Sequence, residues 1–273
     1  MPFDPAKTTP LIDGHAHILL QDLPRAPGTS THMISENFGA ERYVETLTDH
    51  GVQYGIMVAS SQVGLYNDYQ IHTLRKFKRL RATVIVRPDV DFYTLEHMNT
   101  DGVIGIRLAF RTIKQLPDLT SPDWRRLLRR ARDLDWHVHM HIESARFPEV
   151  WPALKASGVK LVLDHFGRPE PDAGVNCPGF QAILQAFDSG LLWVKLSAPY
   201  RLDGGDAQAY ADALLKNGGA ERLIWASDWP FTSFEYQVTY AQAIQWLEDW
   251  IPDPAVRYKI HTSTPRTLFN LDR

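Results

Sequence analysis

Residues 136–166 read WHVHMHIESARFPEVWPALKASGVKLVLDHF, and the order of patterns within them decides the fold. Trp136–Ile142 and Lys160–Phe166 are short runs rich in apolar and β-branched residues, of strand length, while Phe147–Ser157 between them is a longer amphipathic stretch. Strand, helix and strand in that order make a βαβ unit, whose two strands lie parallel in one sheet.

The same alternation continues in both directions. Further strands are predicted at Leu11–Ile18, Tyr54–Ser60, Arg81–Val86, Val103–Phe110, Leu192–Ser197 and Leu223–Trp229, giving eight in all. Helices are expected at Glu41–His50, Tyr69–Phe77, Pro122–Leu134, Gly179–Ser189, Ala207–Asn217 and Phe234–Trp250, and a last one over Pro254–Phe269 with Pro265 breaking it or starting a new turn. Ser121 and Asp206 stand where helices need caps, and Gly190 and Gly218 where helix ends need a left-handed residue. Without a linker, composition break or internal repeat, residues 1–273 are read as a single (β/α)8 TIM barrel of class α/β, with a doubly wound open sheet as the structural alternative. Two long loops, Gln21–Asn37 and Arg111–Thr120, follow the first and fourth strands. In a barrel such loops build the site.

Composition narrows the partners. The net charge of −3 is spread without long runs of either sign, which offers no footprint for nucleic acid or an anionic membrane. A small-molecule substrate is therefore expected, and a homo-oligomer is left open. The single cysteine, Cys177, cannot form an intramolecular disulfide, and Met1–Thr9 has no apolar core of a signal peptide, so the expected location is cytoplasmic.

Ionisable residues gather where strands emerge. His15 and His17 in DGHAH leave one face of the first strand, and His137, His139 and His141 leave one face of the fifth. Successive residues on one face lie roughly 7 Å apart, so only His141 reaches the mouth, and His137 and His139 are expected to hydrogen-bond inside the barrel. The sixth strand ends in LDHFGRP with His165, and the eighth in WASDWP with Asp228. A buried aspartate beside tryptophan costs several kcal/mol unless it is paired or functional.

Taken in order, DGHAH, GIR, LDHFGRP and WASDWP resemble the amidohydrolase superfamily (amidohydrolase-related family 2). The likeness is to the branch holding 2-pyrone-4,6-dicarboxylate lactonase and the sulfomuconolactone and sugar lactonases, and it spans about Ile12 to Leu268. This resemblance implies a hydrolase that opens a carboxylated lactone, as in aromatic degradation. Asp228 matches the base that activates water. His15, His17 and His165 match residues that either bind a divalent metal or polarise the carbonyl without one. Arg107, Arg168 and Arg201 match positions that hold substrate carboxylates, and Ser60 in VASS a serine that hydrogen-bonds substrate.

The chain departs from the pyrone lactonase at His141, where that enzyme has tyrosine, and at Phe231, where it has histidine. His141 is accordingly a candidate for substrate or for metal. His15, His17, His141, His165 and Asp228 together supply ligand types for one zinc or manganese ion, with metal-independent action as the alternative. Lys195 on the seventh strand is read as an interior ion-pair partner. The alternatives are metal-dependent, non-oxidative decarboxylation of an aromatic acid, which related barrels carry out, and hydrolysis of a sugar lactone.

Overall fold

The computed structural model describes residues 12–27, 34 and 36–272. Leu11, the Met1–Thr9 reading and the middle of the Gln21–Asn37 loop lie outside the described residues. Eight strands run in chain order and pair in parallel with their sequence neighbours. They are β1 (Ile12–Ala16), β2 (Tyr54–Val58), β3 (Leu80–Val84), β4 (Val103–Ala109), β5 (His137–His141), β6 (Lys160–Leu163), β7 (Leu192–Leu196) and β8 (Leu223–Trp225). Helices α1 (Ala40–Asp49) through α8 (Tyr240–Trp250) follow the strands in turn, and α9 (Pro254–Tyr258) and α10 (Thr264–Leu268) finish the chain. The barrel class is thus as expected; the open sheet is not.

The seam between β1 and β8 closes near the mouth. The Asp228 amide donates to the His15 carbonyl at 3.0 Å, and the His17 amide to the Trp229 carbonyl at 2.7 Å. Asp13 rivets this seam: its buried carboxylate accepts from the Ser227 amide (2.9 Å), the Ser227 hydroxyl (2.6 Å) and the phenols of Tyr43 and Tyr240 (3.0 Å each). Gly14 is required beside it, since a Cβ there would stand 2.8 Å from the Trp225 carbonyl oxygen.

Apolar side chains form two separate clusters. One fills the layer between barrel and helices and includes Leu47, Met57, Met140, Phe147, Leu161 and Trp225. The other lies inside the barrel, where Ile12, Ile56, Val162 and Ile224 pack against Leu268, Phe269 and Leu271. Each fully buried aliphatic or aromatic side chain contributes about 1.5–3 kcal/mol, while each buried ion costs several kcal/mol. The apolar plug below thus offsets the charged layer above it.

Local differences from the sequence reading have identifiable causes. Helix α3 (Phe92–Asp101) buries only Leu95, so no apolar stripe betrays it, although Asp91 caps its start and Gly102 ends it with φ of 110°. Helix α8 begins at Tyr240 rather than Phe234 because Thr239 caps it. Residues 254–268 are two short helices separated by a π turn at Lys259–Ser263, with Pro265 in the first turn of the second. Ser121 occupies its N-cap position without a side-chain cap bond, whereas Asp206 accepts from the Ala209 amide. Gly219, not Gly218, takes the positive φ after α7 (Ala207–Gly218).

Candidate active site

Backbone strain marks the rim before any side chain is considered. His165, Phe166, Arg168, Ala198, Asp228 and Phe231 all have positive φ without being glycine, and all fall in the turns after β6, β7 and β8. Such conformations cost about 1–3 kcal/mol each and persist where surroundings over-determine them. Here they bring His165 Nε2 to 3.8 Å from Asp228 Oδ1.

Asp228 is the centre. Its Oδ2 accepts from the Tyr200 hydroxyl and from Arg201 Nε, both at 2.7 Å. Its Oδ1 faces His15 Nε2 at 3.6 Å and His165 Nε2 at 3.8 Å. Burial alone would raise this carboxyl's pKa, but Arg201, His165, His17 and the Tyr200 hydrogen bond together hold it below the usual carboxylate range. At neutral pH it is ionised, the state a base requires.

The imidazoles are neutral. Burial pushes His17 and His165 down to about 4 despite the attraction of Asp228, and lowers His15 and His141 well below their ordinary value. His17 Nδ1 donates to the Val58 carbonyl at 2.7 Å, so its Nε2 carries the lone pair, 3.1 Å from His15 Nε2. His165 Nδ1 is joined to Ser197 Oγ at 3.0 Å. His141 stands at right angles to His165, ring centroids 5.4 Å apart, and its buried Nε2 has no partner among the described residues.

A layer of charge lies immediately below. Asp164 accepts from Arg107 Nη1 at 2.6 Å and from His139 Nε2 at 2.6 Å, and stands 3.2 Å from His15 Nδ1. The Lys195 ammonium sits among Asp164 (3.3 Å), His15 Nδ1 (3.1 Å) and His139. Burial lowers Lys195 to about 7 against the pull of Asp164. Asp164 itself, which burial would raise, is held well below the usual range by Arg107, His139, Lys195 and His15. Lys195 is therefore the interior ion-pair partner expected of it, and His139 the interior hydrogen bonder. His137 Nε2 is buried without a partner among the described residues, beneath this layer and near Phe269.

The tautomer of His15 decides what the centre can hold. If Nδ1–H donates to Asp164, Nε2 is bare, and two lone pairs from His15 and His17 meet at 3.1 Å, an arrangement that calls for a cation between them. If Nδ1 instead accepts from Lys195, Nε2–H donates to His17 and the pair is complete without a metal. His15, His17 and Asp228 donor atoms lie within 4.8 Å of one another. Their 3.1 and 3.6 Å edges resemble the roughly 3.3 Å ligand-to-ligand spacing around tetrahedral zinc. The residues therefore fit a divalent ion. His141 and His165 of the expected set fall outside that group, and a second group, His15, His139 and Asp164, surrounds the Lys195 ammonium, which already supplies a cation there.

The expected carboxylate-holding arginines all stand at or under the mouth, each already paired with a protein acid. Arg107 is buried on Asp164. Arg168 binds Glu143 and Asp203 at 3.1 Å each and donates to the Arg201 carbonyl. Arg201 binds Asp228 and donates to the Thr232 carbonyl at 3.0 Å. Glu143 also takes Arg111 at 2.9 Å, so ion pairs link the loops after β4, β5, β6 and β7, and the hydrogen bond from Arg168 to the Arg201 carbonyl joins them to the separate Arg201–Asp228 pair. Ser60 lies in the turn after β2, half-buried, where its hydroxyl accepts from the Gln62 amide at 3.2 Å. It lines a small cleft with Ile18, Leu23 and Tyr66. Asp164, Glu143 and Asp203 complete the site without having been assigned roles from sequence; of these Asp164 left a signal, as an acid directly before His165 at a strand end, while Tyr200 was expected only to line the mouth.

An eight-stranded barrel with histidines and an ionised aspartate at its C-terminal mouth defines a hydrolytic-type centre of the α/β-barrel enzymes. The amidohydrolase family model matches residues 12–271, and the chain belongs to that family. It is 26% identical over 238 residues to the 4-sulfomuconolactone hydrolase of Hydrogenophaga intermedia, covering 84% of this chain and 78% of that one. To the 2-pyrone-4,6-dicarboxylate hydrolase of Comamonas testosteroni it is 24% identical over 277 residues, covering 94% and 89%. Among solved structures, an Acinetobacter baumannii protein described as a 2-pyrone-4,6-dicarboxylic acid hydrolase, with citric acid bound, superposes with a TM-score of 0.90 at 28% identity, covering 95% of this chain and 99% of that one. A Pseudomonas putida protein described as a candidate for the same activity does so at 0.89 and 34%, covering 97% and 99%.

Proposed function

We propose that this protein hydrolyses the ester bond of a lactone carrying one or more carboxylates, with Asp228 as the base. The observation that carries this reading is the position of Asp228, ionised, with Oδ1 turned to His15 and His165 and arginines on the adjoining rim. Lactone hydrolysis needs a water, an acceptor for its proton, and donors at the carbonyl oxygen where negative charge develops. In this reading Asp228 takes a proton from water as its oxygen bonds to the carbonyl carbon. The ring C–O bond then breaks, and the proton passes to the leaving oxygen, giving the open hydroxy acid.

His165 and His141 line the path of the carbonyl, His141 offering its unpartnered Nε2. Arg168 and Arg201 meet the substrate's carboxylates in bidentate fashion, and Ser60 offers its hydroxyl to the substrate from the turn after β2. The relatives named for carboxylated or sulfonated lactones, and the neighbour holding citric acid, support an acidic substrate. His15, His17 and Asp228 would hold a zinc or manganese ion, which would act as a Lewis acid on the ester carbonyl.

The test is a pH-indicator screen against lactones with zero, one and two carboxylates, run beside metal analysis of the purified protein. Acid release with a preference for carboxylated lactones is expected. Carbon dioxide release from an aromatic acid without lactone turnover would replace this reading with decarboxylation, and a preference for neutral lactones would remove the role given to the arginines.

A further inference from the structure

Burial keeps His15 a neutral imidazole, and a neutral imidazole has one lone pair to give. We infer that in the metal-free protein Lys195 takes that lone pair at Nδ1, so that His15 can join His17 and Asp228 around an ion only by moving its proton from Nε2 to Nδ1, and Lys195 thereby sets the metal affinity of the mouth. The inference rests on the reading of His15, His17 and Asp228 as metal ligands.

Distance does not choose between the neighbours of His15 Nδ1, since the Lys195 ammonium stands 3.1 Å away and Asp164 Oδ1 3.2 Å. The hydrogen-bond count does. An ammonium carries three donors and no acceptor, and Lys195 is fully buried, so each donor needs a protein partner. Its partners among the described residues are Asp164 Oδ1 at 3.3 Å, the His139 ring, which it meets at both nitrogens, and His15 Nδ1. Three donors thus meet three acceptors. Asp164 has no equal need of His15, because Oδ1 already accepts from His139 and Oδ2 from Arg107. The far side of the imidazole agrees. His17 Nδ1 donates to the Val58 carbonyl, which leaves its Nε2 an acceptor, and a proton on His15 Nε2 completes the 3.1 Å contact between them. One proton placement satisfies Lys195, His15 and His17 together.

His15 gives up this placement when its Nε2 becomes a ligand. The proton lost at Nε2 is regained at Nδ1, where Asp164 Oδ1 accepts it, so His15 keeps one proton throughout. Lys195 is then left with two acceptors for three donors, and a buried donor without an acceptor opposes the change. Lys195 is on this account a positioning residue. It stands 180 positions from His15 in the chain and acts on the mouth by fixing which nitrogen carries a proton.

The test uses the intact metal-free protein and Lys195→Met, with zinc alone as the probe. Long-range proton–nitrogen correlation spectra, with His15 assigned by its loss in His15→Asn, should place the proton on Nε2 in the metal-free parent and on Nδ1 once zinc is added. Competition with a chromophoric chelator should show zinc held more tightly by Lys195→Met, by about tenfold or more, the equivalent of one hydrogen bond to a charged group. A proton on Nδ1 in the metal-free parent overturns the inference even where the variant binds zinc more tightly, because removal of a positive charge alone does that. Equal or weaker binding by a folded Lys195→Met, while the parent binds one ion, overturns the inference and leaves the metal site standing. Zinc bound by neither chain removes both. If the variant does not fold, the spectrum of the parent decides.

Discussion

Asp164 and His15 meet inside the barrel with carboxylate Oδ1 3.2 Å from imidazole Nδ1, a contact that joins the catalytic rim to the buried charged layer. Replacing Asp164 with alanine would leave the buried Arg107 guanidinium without its counterion. Removing one member of a buried pair costs about 3–5 kcal/mol. Urea denaturation should show a loss of that size, and the folded fraction should also lose activity because His15 is no longer oriented; a variant as stable as the parent would show that the layer is not held by this carboxylate.

Asp228→Asn keeps the shape of the side chain while removing its ability to accept a proton. Turnover of the best lactone should fall by about 10²- to 10⁴-fold, the usual contribution of a general base, in a chain that still folds. A rate close to that of the parent would remove Asp228 from the role of base.

Metal binding is tested at His17, whose Nδ1 is fixed on Val58 and whose Nε2 points to the centre. Equilibrium dialysis should give one zinc or manganese per chain, and His17→Ala should weaken it by more than about tenfold, as loss of one of three ligands requires. Unchanged stoichiometry and affinity in that variant would place the ion elsewhere.

His137 and His261, both away from the rim, set a pH dependence of stability. Burial lowers them to about 3 and about 4 from an ordinary 6.5. Between these values and 6.5 the unfolded chain binds protons that the folded chain does not, so stability falls as pH falls through that window and is flat for these groups above it. Denaturation at pH 7.0 and 5.0, roughly either side of the histidine midpoint, should show the acid-side loss, and His137→Phe should reduce it. Equal stability at the two values in parent and variant would contradict neutral burial.

Much of this was legible in the chain because strand and helix periods differ and because parallel strands are apolar on both faces. The eight strands, the two-residue spacing of His15 and His17, and the isolation of Asp228 in an apolar run all follow from those rules. Helix α3 was not legible, since one buried leucine makes no periodic stripe. The partners of the arginines were not legible either: Arg168 meets Glu143 and Asp203 across loops far apart in sequence, and no spacing rule connects them. Asp164 was hidden for another reason. Its neighbour His165 turns to the rim through a left-handed backbone conformation, while Asp164 continues the strand alternation and points inward to Arg107 and His139.

The seam riveted by Asp13 and Ser227, residues 214 positions apart, carries one more consequence. His15 and His17 stand on one side of it and Asp228 on the other, so a partly folded chain whose outermost strands have not yet met owns every reacting group and no working centre. Appearance of turnover during refolding would then serve as a stopwatch for cyclisation of the barrel, reporting a late topological event that spectroscopic signals of helix content pass over.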